Sequence, residues 1–192
     1  MQDEKNIIER LQKGDETAFK YVFDSYKDRI YNTILYMVQS DTEAEDLTQE
    51  VFVDVFLSIE NFNAQSKLYT WIYSIAVNKA FNHIRFKKAK KRFGNLLSIF
   101  HLSTADETPD FIHPGIILEN KELSESLHQA IDKLPDKQKT AFVLRQLEDL
   151  SYAEIAEVMQ TTIPSVESLL FRAKQNLQKY LTKPQVLKEM GF

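Results

Sequence analysis

Apolar residues recur through most of this chain three or four positions apart, the spacing that gathers side chains onto one face of an α-helix. Residues 3–11 carry Ile7, Ile8 and Leu11 on one side, and Gly14 ends the run. Asp15 has the carboxylate that suits a helix N-cap, and Phe19, Val22, Phe23, Tyr26, Ile30, Ile34 and Leu35 mark the stripe behind it. Ser40 and Glu43 stand at capping-box spacing and open a third helix. It has two apolar rows, one of Ala44, Leu47, Val51 and Val55 and one of Phe52, Phe56 and Ile59. Two rows leave a narrow polar face holding Glu43, Asp46, Gln49, Glu50 and Asp54. A polar break at 61–67 follows, then helical spacing from about 68 to about 91.

The period decays between 94 and 119, among Pro109, Pro114, Gly115 and scattered polar residues, as in a flexible linker. It returns at about 118–133 with Leu123, Leu127, Ala130, Ile131 and Leu134 inward. Pro135 starts a helix carrying Ala141, Phe142, Leu144 and Leu147. Ser151 and Glu154 form a second capping-box pair before a short helix with Ile155, Ala156, Val158 and Met159. After the turn Gln160-Thr161-Thr162 comes a last stripe, Val166, Leu169, Leu170, Ala173 and Leu177, with Pro164 where a first turn loses nothing by its missing N–H. The expected fold is all-α. It divides into a helical domain at 1–93, a linker at 94–119, a second helical domain at 120–183 and a loosely held tail at 184–192.

A length of 192 residues fits one domain or two small ones, and only 4 Gly and 5 Pro leave helices few interruptions. The net charge of −4 hides a sharp asymmetry. Between 41 and 60 stand Asp41, Glu43, Glu45, Asp46, Glu50, Asp54 and Glu60 with no Lys or Arg, whereas Arg85, Lys87, Lys88, Lys90, Lys91 and Arg92 crowd the end of the central helix. Opposite signs on separate segments suggest two partners, one basic and one polyanionic. Cysteine is absent, which excludes disulfides and thiolate metal sites and fits a reducing compartment. His83, His101, His113 and His128 do not pair at i+3 or i+4, so no metal and no cofactor is expected. No Ser-His-Asp set or Gly-rich phosphate loop supports an enzyme. The start lacks a signal-peptide pattern, and no apolar run approaches the roughly 20 residues of a membrane helix, so a cytoplasmic protein without direct membrane insertion is expected.

The densest chemistry lies at 62–92. Phe62, Tyr69, Trp71 (the single tryptophan) and Tyr73 precede the six cations. Rings that stack on exposed bases, beside cations that neutralise phosphates, make a single-strand nucleic-acid surface. Aromatics at helical spacing also serve as core, and Trp71 and Tyr73, two apart, cannot share one face. Farther on, two short helices joined by a tight turn suggest a helix-turn-helix. Its free face shows Ser165, Glu167, Ser168, Phe171, Arg172 and Lys174.

Four stretches, in this order, resemble the bacterial sigma-70 family in its small extracytoplasmic-function (ECF) group. AFKYVFDSYKDRIYNTIL is similar to the family's first conserved helix, and AEDLTQEVFVDVF to its polymerase-core-binding helix. FNAQSKLYTWIYSIAVNKAFNHIR is similar to its promoter-melting, −10-reading segment. LPDKQKTAFVLRQLEDLSYAEIAEVMQTTIPSVESLLFRAKQNL is similar to its −35-reading helix-turn-helix. The resemblance implies a transcription initiation factor with no catalysis of its own: a sigma domain 2 bundle and a sigma domain 4 helix-turn-helix joined by a linker. The implied partners are core RNA polymerase, promoter DNA and an anti-sigma factor.

By the same resemblance, Asp46, Leu47, Gln49, Glu50, Phe52, Val53 and Phe56 would meet the polymerase, with Leu47 and Phe52 showing exposed edges beside the acids. Asn63, Gln65 and Ser66 would receive an unstacked −10 base, with Lys67 on a neighbouring phosphate. Phe62, Tyr69, Trp71 and Tyr73 would stack or wedge at the melted bubble. Asn78, Asn82 and His83 would reach its junction, and Arg85, Lys87, Lys88, Lys91 and Arg92 its phosphates. Thr162, Ser165, Glu167, Ser168, Phe171, Arg172 and Lys174 would face the −35 element. The sequence departs from the family where Gln160 or Thr161 replaces a common turn Gly, and where Glu167 and Leu169 replace a common Lys and Arg. Glu167 can accept from cytosine N4, while Leu169 belongs to the apolar stripe. Two other functions remain: a helix-turn-helix regulator that acts without polymerase, and a helical protein–protein scaffold.

Overall fold

The computed structural model describes residues 2–98 and 121–181. The expected linker beyond residue 98 and the tail at 184–192 lie outside the described residues. The first group of helices is α1 (Gln2–Gln12), α2 (Glu16–Val38), α3 (Asp41–Ser58) and α4 (Leu68–Ser98), with a 3₁₀ turn at Ile59–Asn61. The second is α5 (Lys121–Asp132), α6 (Asp136–Gln146), α7 (Tyr152–Val158) and α8 (Ile163–Tyr180). No strand occurs among the described residues.

Local chemistry sets the boundaries. Gly14 ends the first run in the left-handed region, at φ 73°. Asp15 then caps α2, its side chain accepting from the amides of Thr17 and Ala18. Ser40 caps α3 from one side only: it accepts from the Glu43 amide, but the Glu43 carboxylate turns away to Lys87 and His83. The pair at Ser151 and Glu154 forms the complete box. Gln160 fills the turn before α8 at φ 50°, which explains why glycine is common there. Helix α4 runs on through Gly94 to Ser98, past the expected end near 91. One glycine costs a helix only about 1 kcal/mol.

Helices α2, α3 and α4 enclose the main core. Ile30, Ile34, Leu35, Ala44, Val51, Val55, Ile72 and Ala80 are fully buried. Burying one such large side chain contributes about 1.5–3 kcal/mol. An exposed pair such as Lys20–Asp24, at 3.1 Å, contributes about 0.2–1 kcal/mol, so the apolar rows and not the surface charges hold the bundle.

The second group of helices does not stand apart. Ala141, Leu144, Leu150, Ile155, Val166 and Leu170 continue the same apolar cluster, while Tyr36 of α2 joins Leu127, Ile131 and Phe142 in a second one. Between the groups sits Glu148, 7% exposed. It takes Arg29 Nε at 2.8 Å, Thr33 Oγ1 at 3.1 Å and the Tyr73 hydroxyl. A buried carboxylate needs such partners, and losing one costs about 1–3 kcal/mol or more.

Candidate nucleic-acid and partner interfaces

Helix α3 turns Asp46, Gln49 and Glu50 to solvent, beside Val53 and Phe56, 55% and 50% exposed. Leu47 and Phe52, expected to show exposed edges there, are instead buried at 6% and 3%. Each sits on one of the inward rows, and Phe52 packs edge-on against Phe23 with centroids 4.8 Å apart. Leu57, at 69% exposure, was missed. Its signal was the i, i+4 spacing with Val53, outside both inward rows. Lys79 of α4 flanks the ridge, 3.0 Å from Glu50 and 2.9 Å from Asp54.

The loop at 61–67 rests on α1. Gln12 Nε2 donates to the Phe62 carbonyl at 2.8 Å, and the Glu4 carboxylate accepts from the Leu68 amide at 2.9 Å, capping α4 from a distance. Asn63, Gln65 and Lys67 are exposed and Ser66 is half-buried. The Asn63 side chain accepts from the Gln65 amide at 3.2 Å, and Ala64 takes φ 54°. An open depression of about 800 Å³ lies over the loop, lined by Asn63, Gln65, Ser66, Lys67 and Thr70 together with Glu4, Glu9, Glu154 and Glu157.

The four rings divide. Phe62 and Tyr73 are buried, at 6% and 0%, which corrects their assignment as exposed stacking platforms. Position 73 lies on the inward stripe with Ile72, Ala76, Val77 and Ala80, and Phe62 packs on Trp71 with centroids 4.8 Å apart. Trp71 and Tyr69 remain half-buried at the rim. Burial pushes the Tyr73 hydroxyl well above the usual phenol range, and the Glu148 carboxylate adds to the rise. Tyr73 is thus a neutral donor locked into the fold.

Asn78 and His83 are half-buried, and Asn82 is exposed. Arg85, Lys87, Lys88, Lys91 and Arg92 are all exposed. Phe86, 70% exposed, lies among them and was overlooked, although an aromatic interleaved with cations is itself a signal for stacking. Several cations are engaged. Arg85 donates to the Asn82 side chain at 2.8 Å, Lys87 reaches Glu43 at 2.7 Å and Lys88 reaches Asp136 at 2.5 Å. His83 Nε2 lies 3.1 Å from Glu43 as well. Burial would raise the Glu43 carboxyl, but Lys87 and His83 together bring it below the ordinary value.

Helices α7 and α8 form the helix-turn-helix. Thr162 caps α8, its side chain accepting from the Ser165 amide. Val166, Leu170, Ala173 and Leu177 face inward and Leu169 packs at the margin. Glu167, Ser168, Phe171 and Arg172 are exposed, and Ser165 and Lys174 half-buried. Arg172 folds back to donate to Ser168 Oγ at 2.8 Å.

Glu154 of α7 reaches the other group of helices. It takes Lys67 Nζ at 2.8 Å and the Tyr69 hydroxyl, and completes its own cap through the Ser151 amide at 2.9 Å. Burial alone would raise its carboxyl, but these donors outweigh it and lower the value from 4.5 to about 2. A carboxyl depressed by folding adds stability above its unfolded value, and that stability is lost as pH falls toward the folded one. Thermal melting of the full chain should therefore drop as pH falls from about 4.5 to about 2. Glu154→Gln should flatten that slope, and an unchanged slope would count against the contact.

The chain matches two family models, Sigma-70 region 2 over residues 22–90 and Sigma-70, region 4 over residues 124–177. It is 32% identical to the RNA polymerase sigma-H factor of Pseudomonas aeruginosa, covering 94% of both chains. It is 34% identical to the ECF RNA polymerase sigma factor SigW of Bacillus subtilis, covering 92% of this chain and 96% of that one. The same fold is found in CnrH, solved with the cytosolic domain of CnrY, at a TM-score of 0.67 and 16% identity over 92% of this chain and 95% of that one. Helical bundle, helix-turn-helix and both sequence matches lead to one conclusion: the chain belongs to the bacterial sigma-70 family of RNA polymerase sigma factors, in its ECF group, and is an initiation factor rather than an enzyme.

Proposed function

We propose that this protein docks on core RNA polymerase through the α3 ridge, opens and holds the −10 element with the 61–67 loop and α4, and reads the −35 element with α8. The observation that carries this reading is the ridge itself, where exposed Val53, Phe56 and Leu57 adjoin solvent-facing Asp46, Gln49 and Glu50. Apolar area flanked by acids suits a basic protein partner that buries these three side chains and is steered by the carboxylates. On α4, Trp71 at the rim and Phe86 among the cations offer ring faces to bases, and Arg85, Lys87, Lys88, Lys91 and Arg92 serve phosphates. Asn63, Gln65, Ser66 and Lys67 receive the flipped base, and Asn78, Asn82 and His83 approach the edge of the bubble. On α8, Glu167, Ser168 and Phe171 face base edges, while Thr162, Ser165, Arg172 and Lys174 hold the backbone. Residues 1–93 and 120–183 act as the two working domains, 94–119 as the span between them and 184–192 as a tail. An anti-sigma factor is a further partner by analogy with RpoE of Bartonella quintana, which was solved in complex with the anti-sigma factor NepR. The decisive experiment is transcription of source-organism genomic DNA by core polymerase with and without this protein, reading RNA 5′ ends. New, discrete start sites are expected. Duplex binding without new starts would instead favour a regulator independent of polymerase.

A further inference from the structure

Helix α8 shows solvent a stripe opposite its buried one. Val166, Leu170, Ala173 and Leu177 face inward, while Pro164, Glu167, Ser168 and Phe171 are exposed at the i, i+3, i+4 and i+7 spacing of a single face. The polar groups around this face differ in how free they are. Thr162 is occupied by its cap on the Ser165 amide. Ser168 is held by Arg172, whose guanidinium reaches the hydroxyl at 2.8 Å and the Ser168 carbonyl at 3.2 Å. The Glu167 side chain has no hydrogen bond or ion pair among the described residues. It is also the only acid of α8, and it stands in the second turn, near the end that a helix-turn-helix inserts in the major groove.

A free carboxylate on a face that meets DNA is disfavoured unless a base donates to it. The phosphates repel it, and a groove edge without a donor strips its water and returns nothing. The major-groove edges decide which base can donate. Guanine shows only the acceptors N7 and O6, and thymine shows O4 and a methyl group. Adenine sets its N6 donor beside the N7 acceptor, whereas cytosine shows the N4 donor alone. An ionised carboxylate only accepts, so cytosine is the one base that meets it without a repelling atom. We propose that Glu167 sets one letter of the −35 element: its carboxylate accepts from cytosine N4 and turns guanine and thymine away at that position. This rests on the −35 assignment of α8. With a single acid on the helix, the preference falls at one base pair. The neighbouring Ser168 hydroxyl both donates and accepts, so it discriminates less.

The test uses core polymerase with the full chain on a template taken from a mapped start site. The upstream element is randomised, each template is barcoded in its transcript, and the transcripts are sequenced. The parent is expected to enrich cytosine about tenfold over guanine and thymine at one position of one strand. Glu167→Gln should move that position to adenine, whose N6 and N7 a carboxamide matches, and Glu167→Lys should move it to guanine. Glu167→Ala should flatten it while the flanking positions keep their preferences. All three substitutes are good helix formers at an exposed site, so circular dichroism should stay unchanged, and a loss of helix alone would not exchange one base for another. Enrichment of a different base there by the parent, or cytosine persisting in all three variants, would overturn the proposal. Phe171→Ala with Arg172→Ala separates the causes. If that pair alters the enriched element, α8 reads it and only the role of Glu167 fails. If the element is unaltered, the −35 assignment fails as well.

Discussion

Reversing charge at two positions of the α3 ridge, Asp46→Lys with Glu50→Lys, is expected to cut polymerase-dependent initiation by two orders of magnitude or more. Close interfacial charge pairs couple by about 1.5–7 kcal/mol, and each 1.4 kcal/mol is about tenfold in affinity. Fold stability should hardly change. Both residues are exposed, and Lys79, on losing Glu50, keeps Asp54 at 2.9 Å. Asp24→Lys with Asp28→Lys alters net charge equally at exposed positions of α2, off the ridge, and should leave initiation near normal. Co-purification with core polymerase checks both pairs. If the ridge double variant still associated as tightly as the parent, the docking assignment would be wrong.

The second large effect concerns the cations of α4. Changing Arg85, Lys87, Lys91 and Arg92 to glutamine removes four candidate phosphate contacts. Single strands contribute about 0.7 to the salt slope per neutralised phosphate, so the slope should fall by about 3, with affinity at moderate salt down about a hundredfold or more. The fold should change little, because the exposed like charges of this stretch repel one another, glutamine is a good helix former, and the exposed Lys87–Glu43 pair contributes only about 0.2–1 kcal/mol. An oligonucleotide titration at several salt concentrations reads the slope. Finding the parent slope would mean that the cluster only solvates this stretch of the helix.

Much of the local structure could be read from the chain because its causes are local. Gly14, the Asp15 cap and the Ser151–Glu154 box act within a few residues, and the spacing of Ile72, Ala76 and Ala80, each four apart, leaves little choice of inward face. The same spacing forbade a shared face for Trp71 and Tyr73, and burial separates them as that argument required. The resemblance, by contrast, drew Leu47 and Phe52 toward the docking surface although both sit on rows that periodicity had turned inward. The Glu148 cluster could not be anticipated. Arg29 lies 119 residues away from it, and nothing near Leu147–Leu150 advertises a buried acid. Phe86 and Leu57 are legible in the pattern, one interleaved with the cations of α4 and the other i, i+4 from Val53.

The two braces from α1 carry a consequence for promoter choice. The pose of the 61–67 loop, for which we propose the base-receiving role, depends on how far the Glu4 and Gln12 side chains extend, because they hold the Leu68 amide and the Phe62 carbonyl at its two ends. Shortening either by one methylene would tilt the loop without altering any of its own residues. Drift in the opening helix could in this way retune which nucleotide is preferred, an adjustment screw set behind the dial.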